Sequence, residues 1–195
     1  VSRGRCLSHV LHVDIHTSCS VLDLPGGGHP TWQYFAKHFP EQWRSYRKFT
    51  VVRNPWDRVV SAFAYAQMPE SHWHGEDKAA HPDAETLQGK SFADCVQLLC
   101  TERAALKHES WHPQYLWMVG TQDGKLISRA DEILRCEQLE SDFTQLCERW
   151  QLDCGPLPQI NRSERGSYRD YYDAQTQAQV AEHYKVDIGL FDYTF

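Results

Sequence analysis

The chain has 195 residues, of which 41% are hydrophobic and 24% are charged, and its formal net charge is −6. This length and composition predict a single globular domain over 1–195 and exclude a largely disordered chain. The negative charge argues against a generally basic nucleic-acid-binding protein, although a few arginines in one cleft would hardly change the total. No run of about 18 apolar residues occurs, so no membrane span is predicted.

The first predicted elements surround one short buried strand, which its β-branched residues indicate. In chain order we predict β-like runs near Val10–Ile15, a glycine-rich loop at 25–30, a helix at Thr31–Phe39, a helical turn from Pro40, a strand at Phe49–Val52, and a helix with Asn54 as N-cap and Pro55 as first residue that reaches about Gln67.

The remaining elements are mostly helices and loops. In chain order we predict a polar surface loop over 68–90, a helix at Ser91–Leu99, a connection over 108–124 that ends in the Asp123-Gly124 turn, short strands at Lys125–Ile127 and Glu132–Arg135, a helix at Gln138–Trp150, a loop over 151–170, and a helix at Asp173–Tyr184. A strand followed directly by a helix favours a parallel sheet covered by helices, which is an α/β fold.

The seven cysteines contain no CxxC pair, so a structural zinc ribbon is not predicted. Their odd number leaves at least one thiol outside any disulfide. Cys95, Cys136 and Cys147 stand among apolar residues, which favours buried, reduced thiols. One or two disulfides in an oxidising compartment are the open alternative.

Histidines and aromatic residues crowd the middle of the chain. Metal binding and an ordinary surface loop are the two interpretations of the histidines, and the missing carboxylate or cysteine pattern favours the loop. The histidines are His72, His74, His81, His108 and His112. Four aromatic side chains could stack on sugar rings or fill the core: Trp73, Trp111, Tyr115 and Trp117.

The stretch KFTVVRNPWDRVVSAF at 48–63 predicts an anion site. Arg53 follows the strand directly, at the sheet edge where α/β folds bind ligands. The helix that begins at Asn54-Pro55 presents N–H groups to an anion, a guanidinium grips phosphate bidentately, and Ser61 could add a donor. The alternative is that Arg53 pairs with Asp57 and that Ser61 only occupies a helix surface.

RNPWDRVVSAF resembles the 3′-phosphate-binding motif of sulfotransferases that use 3′-phosphoadenosine 5′-phosphosulfate (PAPS). The closest likeness is to the carbohydrate group that includes heparan sulfate 2-O-sulfotransferases and their bacterial relatives. Further resembling segments follow in the family's order over roughly 26–195: GGGH at 26–29, HPQYLW at 112–117, RCEQL at 135–139, LPQINRSERGSYRDYY at 157–172, and IGLFDYTF at 188–195.

The resemblance implies a P-loop-NTPase-like three-layer fold with a central parallel sheet flanked by helices. It implies an enzyme that moves a sulfuryl group from its co-substrate PAPS to a hydroxyl of a carbohydrate or related acceptor, without a metal. The residues that it assigns are His29 as general base, Arg53 and Ser61 on the 3′-phosphate, and Arg162, Ser163 and Tyr168 over the nucleotide. The alternatives are that His29 caps a helix and that the later residues form a solvated loop.

The family's lysine-containing loop for the 5′-phosphosulfate is not found. The nearest segment, HVDIHTSCS at 12–20, has neither lysine nor glycine. Because the chain begins with valine, we expect the loop upstream of Val1, in a domain truncated at its N-terminus. If the loop is absent, the chain is instead a non-catalytic nucleotide- or glycan-binding relative. A kinase-like enzyme is disfavoured, since no GxxxxGK[ST] occurs. The expected compartment is the cytoplasm for a bacterial protein and the Golgi lumen for an animal-type enzyme.

Overall fold

The computed structural model describes residues 13–14, 18–19, 30–67, 81–102, 105–157 and 166–195. These residues form a mixed α/β structure with a small parallel sheet and helices. The strands within them are β1 (Val13–Asp14), β2 (Ser18–Cys19), β3 (Phe49–Val52), β4 (Val119–Gln122), β5 (Lys125–Ser128) and β6 (Glu132–Arg135).

The helices in the described part of the chain are mostly short. They are α1 (Trp32–His38), α2 (Pro40–Ser45), α3 (Pro55–Ala66), α4 (Ala84–Leu87), α5 (Phe92–Thr101), α6 (Tyr115–Met118), α7 (Leu139–Trp150), α8 (Ala174–His183) and α9 (Lys185–Phe191). Turns of 3₁₀ helix occur at Glu109–Trp111, Cys136–Gln138 and Tyr168–Tyr171. None of these described helices is long and apolar enough to cross a membrane.

The predicted parallel pairing is present between β3 and β6, in the register Phe49↔Glu132 to Val52↔Arg135. Both strands were predicted at these bounds, the first of them from its β-branched content. The pairing is extended at its start, where the backbone N–H groups of Asp131 and Glu132 donate to the Lys48 carbonyl at 2.7 and 3.1 Å.

The antiparallel hairpin of β4 and β5 contains a strand that the sequence did not predict. The segment Val119–Gln122 was assigned to the connection over 108–124, and it forms β4, which pairs with β5 from Val119↔Ser128 to Gln122↔Lys125. The turn itself was predicted correctly: Asp123 and Gly124 have φ values of 50° and 74°. Two positive φ values in succession suit a tight hairpin, and Asp-Gly tolerates them.

Contacts between Cα atoms divide the chain into two compact units. The first comprises Val1–Val52 with Gln114–Asn161, and the second comprises Arg53–Pro113 with Arg162–Phe195. The described core of the first unit is the layer between the β3–β6 pair and α7. Its members are Phe49, Leu134 and Leu146, with Val51, Leu139, Phe143 and Trp150 packed against them.

The second unit is helical, and α3 packs against α5 and α8 at its centre. The buried face of α3 carries Trp56, Val59, Val60 and Phe63. The Trp56 Nε1–H donates to the Gln177 carbonyl at 3.1 Å, which connects α3 to α8. The unit ends in α9, which the sequence analysis missed because a short helix next to another leaves little periodicity.

The predicted surface loop over 68–90 is wrong for its described end. His81, Asp83 and Leu87 are buried, at 4%, 0% and 0% exposure, and α4 begins at Ala84. The polarity of this segment suggested solvent, but the Asp83 carboxylate is buried with hydrogen-bond partners of its own. A charged group can be buried when hydrogen-bond partners replace the water that it loses.

All five cysteines whose side chains the structure describes are reduced. They are Cys95, Cys100, Cys136, Cys147 and Cys154. Cys95 and Cys147 are buried, as predicted. The prediction for Cys136 is wrong, since it is exposed. It lies in the 3₁₀ turn between β6 and α7, beyond the last strand residue that packs into the core.

Candidate functional site

The N-terminus of α3 is fixed by Asn54. The Asn54 side-chain oxygen accepts from the Trp56 N–H at 3.0 Å, and Pro55 occupies the first helical position. The other end of the same amide donates to the Thr194 carbonyl at 2.9 Å. Asn54 is therefore both the helix cap and an attachment point for the C-terminal segment, and it is only 7% exposed.

Arg53 lies along α3 and contacts two residues of that helix. Its Nε–H donates to Asp57 Oδ2 at 2.6 Å, and its Nη1–H donates to Ser61 Oγ at 3.0 Å. Spacings of four and eight residues place Asp57 and Ser61 on one helix face. The two contacts that the sequence suggested as alternatives are therefore both present: Arg53 pairs with Asp57 and also bonds to Ser61. We call these three residues the Arg53 cluster.

The Arg53 cluster is open enough for a ligand. The side chain of Arg53 is 28% exposed and that of Asp57 is 17% exposed. Asp57 and Ser61 hold the guanidinium plane, and the Ser61 hydroxyl accepts from Arg53 while its own proton can still be donated. A guanidinium held in place beside a helix N-terminus is suited to an anion.

Arg58, which lies on α3, brings a second guanidinium close to that of Arg53. Its Nη1–H donates to the His112 carbonyl at 2.7 Å. Burial lowers the pKa of Arg58, the nearby Tyr184 and Asp187 oppose that shift, and the charge of Arg53 adds to it. The effect of Arg53 is the smallest of these four, and the carboxylates of Asp57 and Asp187 accompany the two guanidinium groups.

Tyr168 belongs to an aromatic cluster that includes the last residue of the chain. The centroid of the Phe195 ring lies 5.6 Å from those of Tyr168 and Trp56 and 5.5 Å from that of Tyr172. The Arg169 guanidinium lies 4.7 Å from the Tyr168 ring centroid. Tyr168 is thus connected to the first turn of α3 through Phe195.

Sequence reasoning missed Arg58, Arg169, Tyr172 and Phe195 as neighbours of this site. Burial raises the pKa of Tyr172, and its hydroxyl donates to the Trp56 carbonyl at 2.9 Å. The Tyr-Tyr pair and the aromatic chain ending stood in the resembling segments. They were noted only as a family likeness, because no local pattern shows that residues 168–172 and 195 meet at α3.

Three predicted site residues lie outside the described part of the chain: His29, Arg162 and Ser163. The structure brings together Arg53 and Ser61 by a direct hydrogen bond and places Tyr168 in the adjoining aromatic cluster. Their functional roles stay predictions.

A second polar cluster in the same unit surrounds Asp83, and we call it the Asp83 cluster. The Asp83 carboxylate accepts from the backbone N–H groups of Lys107 and His108 at 2.7 and 3.0 Å and from Trp111 Nε1–H at 2.8 Å. His81 completes it, with its Nδ1 4.0 Å from Asp83 Oδ2.

The Asp83 cluster corrects two expectations. His81 and His108 are buried at 4% and 9% exposure, so they do not belong to a surface loop. Trp111 is 2% exposed, so it cannot stack on a sugar, whereas Tyr115 and Trp117 are half-buried. No group of three or more potential metal ligands occurs among the described residues. His72, Trp73 and His74 lie outside those residues.

A cavity of about 290 Å³ occurs in the first unit, along β6 and α7. Its polar lining comes from Arg135, Gln138, Asp142, Gln145 and Arg149. Asp142 already accepts from the Arg135 backbone N–H at 2.7 Å, and Arg149 donates to Glu132 at 3.1 Å. Arg149 in this cavity is therefore already paired with a carboxylate.

Comparison with known proteins identifies the family. The model of the sulfotransferase family matches residues 21–194 of the 195, so the chain belongs to the sulfotransferase family. Neither the curated proteins nor the solved structures yielded a significant match. Family membership supports a transferase that moves sulfuryl groups, and the matched range contains the whole Arg53 cluster.

Proposed function

We propose that this protein is a PAPS-dependent sulfotransferase whose Arg53 cluster binds the 3′-phosphate of the nucleotide. The observation that carries the proposal is the pair of hydrogen bonds that fix Arg53 to Asp57 and Ser61 beside the start of α3. Family membership adds the reaction class, and sulfotransferases generally use PAPS as the sulfuryl donor.

The residues present fit a phosphate chemically. The guanidinium of Arg53 supplies charge and directed N–H donors, Ser61 supplies a hydroxyl, and the first turn of α3 supplies a partial positive charge. The negative charge of Asp57 opposes an anion, but its hydrogen bond stabilises the position of Arg53. Tyr168 and the resembling residues Arg162 and Ser163 would cover the nucleotide.

PAPS supplies the sulfuryl group when it is bound. His29 would take the proton of the acceptor hydroxyl, a role that suits a histidine with a pKa near working pH. The Arg53 cluster would hold the nucleotide in position so that the hydroxyl attacks in line with the breaking S–O bond, and positioning of this kind provides much of the rate enhancement. The role of His29 rests on the resemblance of GGGH at 26–29 alone.

The finer assignments follow from the same resemblance. We propose a P-loop-like three-layer fold, of which the β3–β6 pair with α7 would form a part, and a carbohydrate or related hydroxyl as the acceptor. Support for the acceptor comes from the likeness of several segments to carbohydrate sulfotransferases, HPQYLW at 112–117 among them.

The experiment that tests the nucleotide site is calorimetric titration of this chain with 3′-phosphoadenosine 5′-phosphate (PAP) and, separately, with 5′-AMP. We expect PAP to bind and 5′-AMP to bind far more weakly, because only PAP carries the phosphate that Arg53 would hold. Equal affinities for the two nucleotides, or no binding by a folded chain, would contradict the proposal.

One observation keeps the non-catalytic alternative in view. In the segment nearest to a phosphosulfate loop, at 12–20, the described residues 13–14 and 18–19 form the antiparallel pair β1–β2. A sulfate-transfer assay with PAPS and a panel of sugars separates the two functions. Transfer that is lost in His29→Ala supports the enzyme, whereas PAP binding without transfer supports a nucleotide-binding relative.

A further inference from the structure

Arg129 follows β5 directly and packs against α1, within the first unit. Its backbone N–H donates to the Met118 carbonyl at 2.6 Å, and its Nη2–H donates to the Thr121 carbonyl at 3.2 Å. Its guanidinium carbon lies 5.1 Å from the centroid of the Trp32 ring. The indole is fixed in turn, because its Nε1–H donates to the Val119 carbonyl at 2.9 Å. These contacts hold the guanidinium in one place.

One edge of the Arg129 guanidinium is buried without a hydrogen-bond acceptor. Among the described residues, its Nε is the one buried side-chain nitrogen or oxygen that has no hydrogen-bond partner. This edge faces Gly120: a Cβ atom there would lie 2.5 Å from Nε and 3.0 Å from Nη2, so a larger residue would displace the guanidinium. Nη1 is not one of the buried atoms without a partner, so the outer fork of Nη1 and Nη2 is left for a ligand.

The charge of Arg129 has no carboxylate beside it in the described part of the chain. The nearest carboxylate in sequence, that of Asp131, is engaged by Lys48: its Oδ2 accepts from the Lys48 backbone N–H at 2.7 Å and lies 3.2 Å from Lys48 Nζ. Arg149 of the same unit, by contrast, lies 3.1 Å from Glu132. A guanidinium that has lost part of its hydration and has no counterion gains from binding an anion.

The helices next to Arg129 carry an excess of positive charge. Residues 30–48, which include α1 and α2, contain four lysines or arginines and one glutamate, although the whole chain has a net charge of −6. Trp43 of α2 stacks on Trp32 with ring centroids 6.2 Å apart, which connects both helices to the site. The positive potential of such a segment attracts anions. The charged residues are Lys37, Arg44, Arg47 and Lys48, with Glu41 opposing them.

From this geometry we propose that Arg129 is the centre of an oxyanion-binding site in the first unit, which binds a carboxylate or sulfate group through the outer fork of the guanidinium. Either group presents two oxygens at the spacing that the fork receives. Acidic sugars and free ions both carry such groups. The site is separate from the Arg53 cluster, which belongs to the second unit, so it binds without a nucleotide.

NMR titration of the folded chain tests the site. The signals followed are the Nε–H of Arg129 and the indole N–H of Trp32, assigned with Arg129→Gln and Trp32→Phe. The probes are sodium sulfate, compared with sodium chloride at equal ionic strength, and tetragalacturonate, compared with its neutral, carboxyl-reduced form. We expect both signals to shift with sulfate and with tetragalacturonate and to stay in place with the two control compounds.

Three variants relate the binding to the guanidinium. Arg129→Gln keeps a donor for Thr121 but removes the charge, so we expect the Kd for tetragalacturonate to rise about tenfold. Gly120→Ala keeps the charge but displaces the guanidinium, and it should also weaken binding. Arg149→Gln, the matched control, removes a guanidinium that is already paired with Glu132 and should change the Kd by less than about twofold.

The source of the oxyanion follows from the two probes. Shifts with tetragalacturonate but not with sulfate would identify an acidic sugar, and shifts with sulfate alone would identify a free ion; both results support the site. Unchanged Arg129 and Trp32 signals with both probes would overturn it, and this titration needs only the wild-type chain. Equal affinities of Arg129→Gln and the wild type would overturn it as well. PAP binding is measured separately, so its loss would leave this result unaffected.

Discussion

The Arg53 cluster and the Asp83 cluster lie in the same unit and use similar chemistry, but they differ in access. Each centres on one charged side chain that makes hydrogen bonds to groups on more than one turn of the chain. Arg53 is 28% exposed, and its partners are side chains four and eight residues away along one helix. Asp83 is 0% exposed, and its partners include backbone N–H groups 24 and 25 residues away.

This difference separates binding from stability. A buried carboxylate surrounded by donors contributes to the folded state, because removing it leaves those donors without an acceptor in a dry interior. A partly exposed guanidinium paired along a helix contributes little to folding, since water screens the pair. It remains available to exchange a partner for a ligand. The number of hydrogen bonds alone would not have distinguished the two roles.

Replacing Asp83 by alanine should give the largest effect. Three donors lose their acceptor, so we expect the free energy of unfolding to fall by about 4 kcal/mol in urea titrations. Trp111→Phe removes only one of these donors and should cost about half as much. A loss below about 1 kcal/mol for Asp83→Ala would show that the buried cluster does not hold this region together.

Replacing Arg53 by alanine should affect binding instead. We expect the Kd for PAP to rise about 100-fold, because a charge-assisted, bidentate contact is lost. The free energy of unfolding should change by less than about 1 kcal/mol. Arg53→Lys retains the charge without the planar fork and should weaken binding about tenfold. Equal affinities of the lysine variant and the wild type would contradict directed hydrogen bonding by the guanidinium.

Lowering the pH should weaken the Asp83 cluster through His81. Burial lowers the pKa of His81, against the opposing attraction of Asp83, so the folded chain binds a proton less readily than the unfolded chain does. Stability from this group is therefore complete above the unfolded pKa of about 6.5 and declines as the pH falls toward the folded pKa, by at most about 1.4 kcal/mol per pH unit.

Urea titrations between pH 5 and pH 7.5 measure that decline. His81→Asn keeps an acceptor for the Asp83 N–H, which donates to His81 Nδ1 at 3.1 Å, but it has no group that titrates in this range. We expect this variant to flatten the pH dependence, whereas His112→Asn at an exposed position should leave it unchanged. Equal slopes for His81→Asn and the wild type would assign the effect to another group.

Removing the Ser61 hydroxyl should have the smallest effect. Ser61→Ala deletes one hydrogen bond to Arg53 and one donor for the phosphate, so we expect the Kd for PAP to rise about fivefold. Ser45→Ala, at a helix position whose hydroxyl donates to the Glu41 carbonyl, is the matched control and should leave the Kd unchanged. A loss in both variants would indicate a general effect of removing a hydroxyl.

Much of the Arg53 cluster could be predicted from local sequence. The Asn54-Pro55 pair indicated where α3 begins, and helical spacing alone places Asp57 and Ser61 on the face that Arg53 follows. The strand Phe49–Val52 was equally clear from its β-branched residues. In each case the residue pattern that predicts the feature lies within nine residues, so a short window of sequence contains it.

The Asp83 cluster could not be predicted in this way. Its residues looked like part of a polar surface loop, because the acceptor and its donors come from separate stretches of the chain. Trp111 stands 28 residues from Asp83, and no local pattern shows that its indole N–H points toward that carboxylate. The aromatic cluster around Phe195 was missed for the same reason, since Trp56 and Phe195 lie at distant positions in the sequence.

The sequence by itself determined the helix start at Asn54, the reach of Arg53 to Ser61 and, through its resembling segments, the sulfotransferase family to which the chain belongs. Only the tertiary structure decided that Asp83 is buried and that Phe195 stands between Tyr168 and Trp56. The physical reason is the range of the interactions. Capping and helical spacing act between neighbours, whereas burial of a charge or a ring depends on partners that only folding brings together.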